Sequence, residues 1–148
     1  MGVIYEYFAA DSDERAAAVI DNPKGPAESG LAMLPAGGIE PAIQLSTLEE
    51  LLTGTPFEEI VQRPRSTAAI AERADGQLLV LTLTDEFQAA LAEASPERLT
   101  EVAEPWSKSE EFFGDAAPED LTPFLSELAT LAREALATGQ RLYCWVCV

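Results

Sequence analysis

An α+β domain is the fold class that this sequence predicts, and three observations predict it. Runs rich in β-branched and aromatic residues open the chain, recur near its middle and close it at "LYCWVCV". Segments with apolar residues every three or four positions lie between them. A long amphipathic segment over residues 118–138 runs directly into the closing strand. Strands at both ends and in the middle, with helices between, describe a small mixed or antiparallel sheet packed with several helices. The 148 residues suit one domain, 1–148, long enough to bury a core, and the hydrophobic fraction of 47% is that of a globular chain.

The elements follow in order. "VIYEYF", residues 3–8, reads as a strand. Asp11 with Glu14 three positions on marks a helix start leading into 12–20. From Asp21 to Gly38 the chain is rich in Pro, Gly and Ala and reads as a long loop with one helical turn near Leu31–Leu34. "IEPAIQL" reads as a short extended piece. "STLEELLTG" then pairs Ser46 and Glu49 as a capping box, and Gly54 closes the helix. Residues 57–66 carry no clear period. "TAAIAER", the turn "ADGQ" and "LLVLTL" form a hairpin, with strands near 67–73 and 77–83. Thr84 caps a helix presenting Phe87, Ala90, Leu91 and Ala94 on one face. Ser95-Pro96-Glu97 starts the next, with Leu99, Val102, Ala103 and Trp106 in line. Ser107 and Glu110 suggest a further capping box. In the last helix Leu121, Phe124, Leu125, Leu128, Leu131, Ala132, Ala135 and Leu136 mark one face. Gly139 stands where a helix terminates, and Arg133 and Arg141 lie near the negative end of its dipole.

Charge and composition bound the function. Twenty-six carboxylates face nine Lys and Arg, a formal net charge of −17. The acids are spread along the chain rather than gathered in a tail. Nucleic-acid binding is disfavoured, because neutralising phosphates requires clustered Lys and Arg. There is no histidine, which removes Ser-His-Asp and Cys-His nucleophile activation and imidazole metal sites. No apolar run approaches the roughly 20 residues of a membrane span. The N-terminus lacks a basic stretch, and Glu6 stands where myristoylation needs Ser or Thr, so the expected location is the cytoplasm.

Cys144-Trp145-Val146-Cys147 has the spacing of a redox or metal motif. In a strand, however, alternation puts Tyr143, Trp145 and Cys147 on one face and Cys144, Val146 and Val148 on the other. The two thiols then point apart and cannot form a disulfide. A redox pair sits at a helix N-terminus, whereas here the helix precedes the motif. A zinc site needs further Cys or His ligands, and the chain has none. The motif reads as a strand buried on both faces, and neither cofactor nor metal is expected.

Two stretches are candidates for ligand binding. "WSKSEEFFG" gathers Trp106, Lys108, Glu110, Glu111, Phe112 and Phe113, an aromatic and carboxylate cluster of the kind that lines sugar or cation sites. Trp106 also ends an apolar helix face, with Phe112 and Phe113 plugging the core beside it. Arg63 and Arg65 form the one locally basic point and could bind an anion. Glu40, Gln44, Glu49 and Glu50 cluster too, although Glu49 has its capping role and the others read as surface. No catalytic residue is singled out.

The opening Met1-Gly2-x-Ile4 with Tyr7-Phe8, Leu51-Leu52-Thr53-Gly54 closing a short helix, Leu81-Thr82-Leu83-Thr84-Asp85-Glu86 and Ser95-Pro96-Glu97-Arg98-Leu99 follow one another in a familiar order. On these the chain resembles the YfbM-like family of small bacterial proteins of unknown function. Members carry a Trp-His pair in the helix before Leu-Leu-Thr-Gly, where this chain has "STLEELLTG". The family has no settled activity, so the resemblance implies an α+β fold and points to no particular function.

These readings favour a non-catalytic binding module whose acidic surface masks a basic protein partner, as immunity proteins and antitoxins do with nucleases. The alternative is a small-ligand binder or carboxylate-dependent enzyme using the Trp106–Phe113 segment, with Glu110 or Glu111 as general acid or base.

Overall fold

The closing strand lies at the centre of the sheet. In the computed structural model, which describes residues 2–112, 114 and 116–148, β1 (Ile4–Ala10) and the C-terminal β5 (Arg141–Cys147) pair antiparallel along their whole length. A short β2 (Met33–Pro35) flanks β1, and the hairpin β3 (Ala69–Arg73) and β4 (Leu78–Thr82) flanks β5. The order is β2-β1-β5-β4-β3, and every pairing is antiparallel. Because β1 and β5 are both interior, their side chains are buried on both faces, which explains why neither alternates between apolar and polar.

One face carries Tyr7, Ala9, Leu142, Cys144 and Val146 into the main core. That core is completed by α2 (Gln44–Thr53), α4 (Asp85–Glu93), α5 (Pro96–Ser107) and α6 (Pro118–Ala137). The other face carries Phe8, Tyr143 and Trp145, covered by α1 (Asp13–Ala17) and the 3-10 turn Ala18–Asp21 through Ala16, Val19 and Ile20. Cys144 and Cys147 therefore sit on opposite faces, both as free thiols. Burial pushes the Cys144 thiol far up, so it stays protonated. Among the described residues, no helix is long and apolar enough to cross a membrane.

Several local expectations hold in atomic detail. Thr84 and Ser95 accept the backbone N–H groups of Phe87 and Arg98 as N-caps. Gly54 and Gly139 take positive φ at helix ends. Others are corrected. Ser12, rather than Asp11, caps α1. Residues 33–35 form β2 where a helical turn was expected, because strand β1 offers an unpaired edge there. The piece from 39 to 45 is a turn running into α2 rather than an extended segment. The cap of α2 is Glu40, whose carboxylate accepts from the N–H groups of Ala42, Ile43 and Gln44 at 2.6–2.7 Å. Ser46 and Glu49 thus lie inside α2 and do not cap it. Ser107 is likewise still helical, its hydroxyl donating to the Glu104 carbonyl. Leu136 is 50% exposed, having rotated past the buried arc of α6.

Candidate functional site

The segment from 57 to 67, which lacks a period, builds the most polar interior of the protein. After a single turn, α3 (Phe57–Ile60), it continues in successive turns across the end of the sheet. Thr82 pins it there. Its hydroxyl donates to the Arg65 carbonyl at 2.5 Å, and its carbonyl accepts the Thr67 N–H at 3.0 Å. Arg63 and Arg65 are consecutive odd positions on this segment and diverge to two different acids.

Arg63 turns inward to Glu49, whose side chain is only 3% exposed, and donates to Oε2. Glu86 approaches the same guanidinium from the solvent side, 3.7 Å from Nε. Burial pushes the Glu49 carboxyl above the ordinary range, while the Arg63 hydrogen bond and charge pull it back and Glu86 adds a small upward push. Beside the pair lies a small cavity lined by Leu45, Ser46, Ser66, Thr67, Thr84 and Phe87, among others. Its volume of about 20 Å³ admits roughly one water molecule. Thr67, on the cavity wall, has φ +50°, a conformation that costs a β-branched residue on the order of 1–3 kcal/mol. A buried carboxyl, its partner cation, hydroxyls and backbone strain all meet here, which is the pattern expected of a functional site.

Arg65 turns to the opposite sheet face. Its Nη1 and Nη2 donate to the two oxygens of Asp13 at 3.0 and 3.2 Å, and Tyr143 donates its hydroxyl to Asp13 Oδ1 at 2.6 Å. The guanidinium also lies 5.8 Å from the centre of the Tyr143 ring. Hydrogen bonds from Arg65 and Tyr143 hold the Asp13 carboxyl below its usual value. Burial first, and then Asp13, push the Tyr143 phenol up to about 12. Arg63 and Arg65 are thus both satisfied by carboxylates within the fold, although Arg65 Nε is buried without a partner.

The other candidates are placed differently. Trp106 is wholly buried; its Nε1 donates to the Gln44 carbonyl at 2.8 Å. Its ring packs edge-on to Phe112 at 5.0 Å and stacks on Phe124 at 6.4 Å. Both faces of the aromatic system belong to the core. Glu110 is exposed and Glu111 half-buried on the 3-10 turn Glu110–Phe112, and neither lines any of the three cavities described here. Phe113 lies outside the described residues. Glu40, Gln44 and Glu49 are not surface residues: Glu40 caps α2, Gln44 accepts the Glu40 N–H at 2.8 Å, and Glu49 is the buried acid. The described residues hold no group of three or more Cys, Asp or Glu placed to bind a metal ion.

No protein-family model matches the chain, and no curated protein matches it. Among solved structures the chain is similar to the crystal structure of YfbM from Escherichia coli, a protein of unknown function. The identity is 16%, the match covers 97% of this chain and 99% of that one, and the TM-score is 0.44.

Proposed function

We propose that this chain is a non-catalytic binding module whose acidic surface masks a basic protein partner, in the manner of an immunity protein or antitoxin. The observation that carries the reading is where the cations are spent. Among the described residues, Arg63, Arg65, Arg73, Arg98, Lys108 and Arg141 each pair with carboxylates of the same chain. They engage seven acids, Glu49, Glu86, Asp13, Asp21, Glu101, Glu104 and Asp85, of the 26 in the sequence. No described cation lies within ion-pair distance of the other described carboxylates, most of which face solvent. A surface of this kind attracts a basic protein over a Debye length of about 8–10 Å and repels nucleic acid. The cavity beside Glu49 favours the same reading, since space for one water is too small for a metabolite.

The test starts from the genes encoded beside this one. Co-expression of each neighbouring product that is basic should yield a 1:1 complex in 0.15 M salt, with an association rate that falls steeply as salt rises. If no basic neighbour forms a complex and the chain shows no salt-dependent association with basic proteins, the reading is wrong.

A further inference from the structure

We infer that the groove between α6 and the β2 edge is where a basic amphipathic helix of the partner docks, an inference that rests on the acidic-module reading above. The groove has a volume of about 410 Å³. Ala32, Leu34 and Leu131 give it an apolar floor, and Glu127 and Glu134 form its α6 wall. At about 100° per residue, positions seven apart fall within about 20° of one another around a helix. Asp120, Glu127 and Glu134 therefore form one stripe along α6, with roughly 10.5 Å between successive acids. All three are exposed, and among the described residues none has a cation within ion-pair distance. Arg133, the one cation of α6, lies about 120° round the axis from Glu127 and leaves the stripe purely acidic.

The chemistry selects the occupant. An added β-strand is disfavoured, because β2 is three residues long and Pro35 offers no N–H to a neighbouring strand. A second copy of this chain would bring its own acidic stripe against the first. A helix with Lys or Arg at seven-residue spacing and Leu or Met between them matches both features. Its cations meet Asp120, Glu127 and Glu134 in register, and its apolar side chains reach the floor of Ala32, Leu34 and Leu131.

The probe is a labelled synthetic helix of about 20 residues with Lys at positions i, i+7 and i+14 and Leu facing the same side. A second peptide of identical composition has its lysines moved out of register. Fluorescence anisotropy at 0.15 M salt should show the first binding at least tenfold tighter than the second. The Asp120→Asn, Glu127→Gln, Glu134→Gln triple variant should weaken the in-register peptide at least tenfold. Neutralising three exposed acids elsewhere, Glu58→Gln, Glu59→Gln and Glu97→Gln, should change it less than twofold. Ala32→Trp, which fills the groove without altering charge, should also abolish the preference; circular dichroism confirms that each variant is folded. Equal binding of both peptides, or equal losses in the two triple variants, overturns the groove while leaving the acidic-module reading intact. A complex with the encoded basic partner that survives both the Asp120/Glu127/Glu134 variant and Ala32→Trp does the same. A dimer in sedimentation that these variants dissociate assigns the groove to a second copy and overturns the inference.

Discussion

Replacing Arg63 with Ala leaves the Glu49 carboxylate stranded, and the asymmetry of that pair can be worked from the structure. Glu49 has a side chain 3% exposed, and the adjacent space holds about one water, so solvent cannot stand in for the guanidinium. Removing one partner of a buried pair costs about 3–5 kcal/mol. The Arg63 side chain is 18% exposed, so some water reaches the site, and the expected loss is at the low end, about 3 kcal/mol. Glu49→Ala should cost less, about 1–2 kcal/mol, because Arg63 keeps Glu86 at 3.7 Å and part of its hydration. The pH dependence has a definite sign. The folded-state pKa of Glu49 already lies above its unfolded value, and loss of Arg63 raises it further. Between the two values the native state binds more protons than the unfolded state, so this group's contribution to stability falls as pH rises. The deficit of Arg63→Ala relative to wild type should therefore shrink as pH is lowered from 8 to 5. Taking the difference between the two proteins cancels the general relief of carboxylate repulsion. Urea unfolding followed by circular dichroism at both pH values measures it, provided the m-values agree. If Glu49→Ala costs more than Arg63→Ala, or if the Arg63→Ala deficit grows on acidification, the buried-acid argument is refuted.

Four further outcomes are expected. In the native protein Cys144 should resist a thiol reagent and Cys147 react slowly, both labelling fully in denaturant; Cys144→Ala should cost on the order of 1 kcal/mol, and rapid native labelling of Cys144 would contradict its place in the core. Trp106→Ala should lose about 4 kcal/mol in chemical denaturation, since it empties an indole-sized volume and deprives the Gln44 carbonyl of its donor. Gly25→Ala should lower the melting temperature, because φ there is +90° and a Cβ would stand 3.0 Å from Glu6 Oε1 and 3.1 Å from the Trp145 ring. Asp13→Asn should flatten the acid limb of the stability curve. The lowered folded pKa of Asp13 contributes stability that is present above its unfolded value and is lost as pH falls toward the folded one, a slope measurable by titrating thermal unfolding.

The parts of the fold that were legible in the sequence are those whose signal is periodic and local. The face of α6 could be read because seven positions from Leu121 to Ala135 repeat at 3.6 residues and pack as that repeat requires. The two cysteines could be placed on opposite faces because the alternation of a strand leaves no freedom once the strand is recognised. Leu136 was misplaced because one more step around the helix leaves the buried arc, and only the packing of neighbouring elements sets the width of that arc. Strand β2 carried no signal, since three residues in a loop rich in Pro and Gly become a strand only through the edge of β1.

The Glu49 site was illegible for a different reason. Ser-x-x-Glu reads as a capping box wherever it falls, but the box works only if Ser occupies the N-cap, and six residues earlier Glu40 already takes the free N–H groups leading into α2. The first turn then begins at Gln44, which rotates Ser46 and Glu49 onto the inner face rather than leaving them at the rim. A carboxylate turned inward needs a cation, and among the described residues it meets Arg63, fourteen residues on, in a segment with no period to reveal its direction. Its neighbour Arg65 is carried by the same turns to Asp13 on the far side of the sheet. What looked like one basic point in the sequence is therefore two separate ion pairs, each holding the 61–67 turns to a different layer. That double attachment is also why both guanidiniums are spent inside the fold, and why the acids left without a cation lie chiefly on the outer faces of the helices.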